Sequence, residues 1–163
     1  MDNITAVLEQ SDRVCRIRLE DLSGSHLEKV LTAMQVPFPE LTRLELQVNM
    51  LEPRIVPDSF LGGSAPHLQF LGLEGIPFPG LPKLLLSATH LVDLRLRHIP
   101  HSGYISPEVM VTALSTLTSL HFLSLEFQSR LSRPDRASRH PPPSTLSVLP
   151  VLTLFFSKGS ANI

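Results

Sequence analysis

The pattern Leu-x-x-Leu-x-Leu occurs four times, at Leu41/Leu44/Leu46, Leu68/Leu71/Leu73, Leu91/Leu94/Leu96 and Leu120/Leu123/Leu125. Of the 163 residues, 30 are leucine, and these triplets are where many of them gather. Accepting other apolar residues adds Val14/Ile17/Leu19 before the four, and Leu152/Phe155 with Ser157 after them. The first positions, 14, 41, 68, 91, 120 and 152, are separated by 27, 27, 23, 29 and 32 residues, so the last two intervals read as carrying insertions. The second and third apolar residues of a triplet alternate, as on a short strand with one face inward, and the segment between strands must return as a helix or turn. A single unit of this size cannot bury its apolar face, so neighbours must supply the core.

Intervals of this size lie within or just above the leucine-rich-repeat range of roughly 20 to 29 residues. The expected fold class is therefore α/β, a leucine-rich-repeat solenoid with a curved parallel β-sheet, helices or turns on the convex side, and about six rungs. The solenoid is expected over 1–128, a Pro/Ser/Arg-rich mobile insertion over 129–148, and a last, incomplete repeat over 149–163. The return segments carry helix signals. Ser25-His26-Leu27-Glu28 reads as a capping box and predicts a helix over 26–35. Ser106-Pro107-Glu108 supplies an N-cap, a proline at the first helical position and an acid in the first turn, predicting a helix over 107–117. The returns at 57–61 and 80–87 are shorter, because Pro77 and Pro79 force an extended approach. Two similar phrases, Val36-Pro37-Phe38-Pro39 and Ile76-Pro77-Phe78-Pro79, predict extended turns with the phenylalanine packed inward.

Composition narrows the function. The formal net charge is -1, from 14 Lys+Arg and 15 Asp+Glu, which gives no general attraction to nucleic acid or an acidic membrane. Specific nucleic-acid binding is not expected. The arginines of the insertion, Arg130, Arg133, Arg136 and Arg139, recur at every third residue but lack interleaved aromatics. One cysteine, Cys15, rules out an intramolecular disulfide and a Cys-only zinc site. With no signal-like start and no spanning apolar run, the sequence predicts a soluble protein, cytoplasmic or nuclear, with no membrane association.

Catalytic chemistry finds little support. Seven histidines are scattered, and only His98 and His101 are close in sequence; Pro100 between them prevents the helix that would display such a pair to a metal. There is no G-x-S-x-G elbow, and Cys15 has no histidine nearby in sequence, which makes it structural. The glycines of Leu61-Gly62-Gly63-Ser64 lack the lysine of a phosphate loop and read as the end of a short helix. No catalytic residue, metal site or cofactor is expected. What remains is the concave face. By strand parity its columns are Arg16, Arg43, Phe70, Asp93, Phe122; then Arg18, Glu45, Gly72, Arg95, Ser124; then Glu20, Gln47, Glu74, Arg97, Glu126. Phe70 and Phe122 are expected to be exposed beside Arg95 and Arg97, the composition of interface hot spots. The partner-binding candidates are Arg43, Glu45, Phe70, Glu74, Asp93, Arg95, Arg97, Phe122 and Glu126. The competing expectation is that Arg95 and Arg97 pair with Glu74 or Glu126 across the ladder.

The phrases Leu61-Gly62-Gly63-Ser64-Ala65-Pro66, Gly80-Leu81-Pro82-Lys83-Leu84-Leu85-Leu86-Ser87-Ala88-Thr89-His90-Leu91 and Ile99-Pro100-His101-Ser102-Gly103-Tyr104-Ile105-Ser106-Pro107-Glu108 resemble the leucine-rich-repeat region of fungal F-box-domain proteins, over roughly residues 13–153. The resemblance implies a non-catalytic module that selects a protein substrate for a cullin-based ubiquitin ligase, with ligase components as further partners of a full-length form. Two departures are expected: no F-box precedes the first rung, and the last rung sets Ser157 at an inward position. An innate-sensor or scaffold repeat fragment, or a truncated product without retained function, is the alternative.

Overall fold

A single backbone carbonyl at the entry to each repeat accepts two N–H groups from the next one. The Cys15 carbonyl receives Thr42 N and Arg43 N at 2.8 and 3.2 Å; Thr42 then receives Gln69 and Phe70 at 2.8 and 3.1 Å. Gln69 does the same for Val92 and Asp93, and Val92 for His121 and Phe122. These carbonyls belong to residues 15, 42, 69 and 92, each one position after the first apolar residue of its triplet, so the sequence repeat and the hydrogen-bond repeat share one phase. The computed structural model describes residues 7–8, 10–48 and 55–127, together with the strand 151–156.

The strands are β1 (Arg16–Leu22), β2 (Arg43–Val48), β3 (Phe70–Glu74), β4 (Asp93–Ile99), β5 (Phe122–Phe127) and β6 (Val151–Phe156). They form one six-stranded sheet in sequence order, every neighbouring pair parallel. Between the strands, among the described residues, run three helices, α1 (Gly24–Ala33), α2 (Leu81–Leu85) and α3 (Pro107–Ser115), with 3-10 turns at Phe60–Gly63 and His101–Gly103. The chain is thus an α/β protein built on a parallel sheet. Among the described residues no helix is long and apolar enough to cross a membrane.

The triplets meet in the core. Ile17, Leu44, Leu71, Leu94 and Leu123 are consecutive register partners, as are Leu19, Leu46, Leu73, Leu96 and Leu125. Leu44, Leu71 and Leu94 have no exposed surface and pack in one cluster with Leu27 of α1, Leu84 of α2 and Leu114 of α3. At about 1.5–3 kcal/mol per fully buried side chain, these columns dominate what holds the sheet to its returns. An inward residue also precedes each of the four leucine triplets by three positions. Leu41, Leu68, Leu91 and Leu120 donate N–H bonds to the carbonyls of Phe38, Ala65, Ala88 and Leu117, and all four of these acceptor residues are buried.

The sixth triplet needs correcting. β6 pairs Leu152 with Leu123 and Leu154 with Leu125, so its triplet is Leu149/Leu152/Leu154 rather than Leu152/Phe155/Ser157. The triplet in phase with this register thus ends at Leu154, and the last interval becomes 29 residues, equal to the one before it. Leu146 stands three residues ahead of Leu149, the spacing seen at Leu117 and Leu120. Leu146, Leu149, Ser157 and the expected insertion at 129–148 lie outside the described residues.

The helices follow their signals with one shift. α3 begins after Ser106, whose side chain accepts the Val109 N–H at 3.4 Å, and buries Met110, Ala113 and Leu114. α1 begins two residues earlier than predicted, with Ser23 at the N-cap position, so Ser25 lies inside the first turn and no Ser25 capping box forms. The Ser23 hydroxyl turns to His26 Nδ1 at 2.8 Å instead. Phe38 and Phe78 are both buried, as their shared Pro-Phe-Pro setting predicts. The glycines after Phe60 do close a short helical turn: Leu61, Gly62 and Gly63 have φ of 56°, 65° and 75°. Gly62 is needed there twice, since its left-handed φ suits glycine and an added Cβ would stand 2.7 Å from Pro37 Cγ.

Candidate functional site

The sheet face opposite the core carries the outward columns. The first two form in register as parity predicts: Arg16, Arg43, Phe70, Asp93, Phe122, and Arg18, Glu45, Gly72, Arg95, Ser124. The third holds only for Gln47, Glu74 and Arg97. β1 and β4 each carry an extra residue, because Leu22 pairs with Val48 and Ile99 with Phe127 after a register shift. Asp21 and His98 sit at those shifts with left-handed φ of 52° and 50°. The bulges displace Glu20 and Glu126 from the simple ladder and bring His98, not Arg97, to the acids.

Phe70 departs from expectation. It is 7% exposed although it points away from the core. Gly72, two residues on and on the same face, has no side chain, and the Phe70 ring lies over it: a Cβ built there would stand 3.0 Å from Phe70 Cε1. Arg43 covers the ring with its guanidinium carbon 3.7 Å from the centroid, and Arg95 approaches from the other side at 5.3 Å. Arg95 also lies 4.7 Å from the ring of Phe122, which is half-buried. The result is an alternating row, Arg43–Phe70–Arg95–Phe122, across four strands.

The ion pairs also differ from the predicted ladder. Arg95 does not reach Glu74 or Glu126; its Nε and Nη2 donate to both oxygens of Asp93, two residues back on the same strand, at 2.9 and 2.7 Å. That hydrogen-bonded pairing with Asp93 holds the Arg95 guanidinium above its already high ordinary pKa, with burial opposing. Glu45 takes Arg43 at 3.4 Å and Arg18 at 3.7 Å. Arg18 also pairs with Glu20, which raises its pKa. His98 stands between Glu74, 3.3 Å from Nδ1, and Glu126, 3.6 Å from Nε2. Arg97 is exposed and has no ion pair among the described residues.

Around Gly72 the missing side chain leaves a shallow cleft of about 50 Å³, walled by Glu45, Gln47, Glu74, Arg95 and Arg97 and floored by Phe70 and Gly72. Ligand pockets for small molecules run to roughly 300–1,000 Å³, so this cleft admits the tip of one side chain. Among the described residues no three His, Cys, Asp or Glu side chains are placed to hold a metal ion. Comparison with family models, with curated proteins and with solved structures finds no match.

The remaining sequence candidates are dispersed. His98 lies in the face, whereas His101 belongs to the turn that follows. His67 and His90 stack with centroids 6.1 Å apart on the strand-entry turns, and His90 Nδ1 bonds the Pro66 carbonyl at 2.9 Å. The Cys15 side chain is exposed, contrary to the expected structural role of the thiol, while its backbone carbonyl also accepts the Thr42 hydroxyl at 3.0 Å. Sequence parity placed Arg43, Glu45, Phe70, Asp93, Arg95 and Phe122 on one face but missed His98. The signal for it was the extra residue in Leu96-Arg97-His98-Ile99, matched by Leu19-Glu20-Asp21-Leu22.

Proposed function

We propose that the chain is a leucine-rich-repeat solenoid acting as a non-catalytic protein-recognition module, with its partner on the sheet face that carries Arg43, Glu45, Phe70, Glu74, Asp93, Arg95, Arg97, Phe122 and Glu126. The supporting observation is the alternating Arg43–Phe70–Arg95–Phe122 row. Aromatic and arginine side chains dominate the energetics of protein interfaces, because each offers a large, stiff contact surface with a polar handle. Here they are held before any partner arrives, Phe70 by its seat over Gly72 and Arg95 by Asp93, so docking would cost little side-chain entropy. The cleft is too small for a substrate-sized molecule, which favours a broad contact over a catalytic pocket. In-phase triplets, shared strand-entry carbonyls and short helical returns support the solenoid reading.

The resemblance to the repeats of fungal F-box proteins makes substrate selection for a ubiquitin ligase the favoured setting, inside the cytoplasm or nucleus. Proximity labelling with mass spectrometry tests the face directly, comparing wild type with a Phe122→Ala/Arg97→Glu double variant whose circular dichroism matches wild type. The reading requires the strongest labelled partners to drop out. An unchanged partner list would overturn it.

A further inference from the structure

Resting on the recognition reading, we propose that the partner presents an acidic, extended peptide segment, with a carboxylate side chain entering the cleft at Gly72 beside Arg97. Charge on this face is layered. Arg18, Arg43 and Arg95 keep 65%, 43% and 38% of their side-chain surface open, whereas Glu45, Glu74, Asp93 and Glu126 keep 29%, 30%, 20% and 19%. Glu20, on the first strand, is the exception at 47%. Over the centre of the face the carboxylates lie low against the sheet and guanidinium groups stand above them. An approaching molecule therefore meets hydrogen-bond donors first, even though the formal charges of the face nearly balance.

Several of the charges around the cleft are already engaged. Glu45 is engaged by Arg43 and Arg18, and Glu74 is turned to His98 at 3.3 Å, so both cleft acids already have side-chain partners. Arg95 gives Nε and Nη2 to Asp93, leaving Nη1 unused in those bonds. Arg97 lines the cleft without an ion-pair partner among the described residues. The cleft thus offers two guanidinium donors beside acids that already have side-chain partners. A carboxylate placed there gains charge-assisted hydrogen bonds in a site partly shielded by the Phe70 ring, while a lysine would meet two guanidinium groups and compete with Arg43 and Arg18 for Glu45.

Fluorescence anisotropy with three labelled peptides tests this. The peptides share length and alternating tyrosines and differ only in carrying Glu, Gln or Lys at the intervening positions. The glutamate peptide is expected to bind about tenfold tighter than the glutamine peptide, the effect of one charge-assisted pair. Arg97→Glu should remove that difference and favour the lysine peptide, with thermal melting showing the variant folded. Phe122→Ala should weaken the glutamate peptide without changing the order of preference. Equal binding of the glutamate and glutamine peptides, preference for lysine by the wild type, no binding of the glutamate peptide, or indifference to Arg97→Glu would overturn the acidic partner. The two readings fail separately: a partner list altered by the face variant alongside equal peptide binding removes only the acidic preference, and an unchanged list removes the face itself.

Discussion

Phe70 shows how a residue's neighbours decide whether an outward aromatic is exposed. Parity put it on the outer face, which is where it lies, but the glycine two positions on lets the ring fold down and two arginines close over it. Gly72→Ala should therefore lift the ring and cost about 1 kcal/mol, an overpacking effect at a partly yielding site. In a double-mutant cycle read by urea unfolding, Phe70→Leu should recover part of that loss, because the two side chains compete for one space. Additive losses would show that the ring does not sit there. Gly62 is less forgiving, since Pro37 is close by and φ is positive. Gly62→Ala should cost about 1–3 kcal/mol by the same measurement. Neither position was legible as critical from sequence, because the constraint comes from residues 25 positions away in one case and from a same-face neighbour's ring in the other.

Elements were legible where local chemistry and burial agreed. α3 has its N-cap serine, its Pro107 and its acid Glu108 in the predicted places, so Ser106→Ala should cost about 1 kcal/mol, near the middle of the range for cap removal. α1 carries a tempting capping box that does not form. Leu27, Val30 and Leu31 are the residues it must bury, and the helix begins where Ser23 leaves β1, two residues ahead of Ser25. Ser25→Ala should accordingly change stability by less than about 0.5 kcal/mol, as an ordinary surface substitution does. Thermal melting of the two alanine variants side by side checks the contrast, and a larger loss at Ser25 than at Ser106 would refute it. The bulges in β1 and β4 were hidden for a different reason. The extra residue shows in the sequence only as one apolar step of three in place of two, Leu19 to Leu22 and Leu96 to Ile99, yet it swings His98 between Glu74 and Glu126.

For the molecule as a whole, the repeat read from sequence was the most durable signal, because strand pairing and core burial both reinforce it. Its phase failed at the last unit, where Leu152 and Phe155 made a shifted triplet look plausible and the register with β5 decides otherwise. Energy concentrates in the shared leucine columns. Leu71→Ala, central and without exposed surface, should cost about 2–5 kcal/mol and weaken both neighbouring strands. The most direct measurement of the account is methyl NOE spectroscopy on a leucine-labelled sample. It should link Leu44 to Leu71, Leu71 to Leu94, and Leu94 to Leu123, one step at a time along the sheet. Absence of these cross-peaks in the folded protein, or strong ones joining Leu44 to Leu123, would contradict the stacked leucine columns on which both the fold and the open face depend.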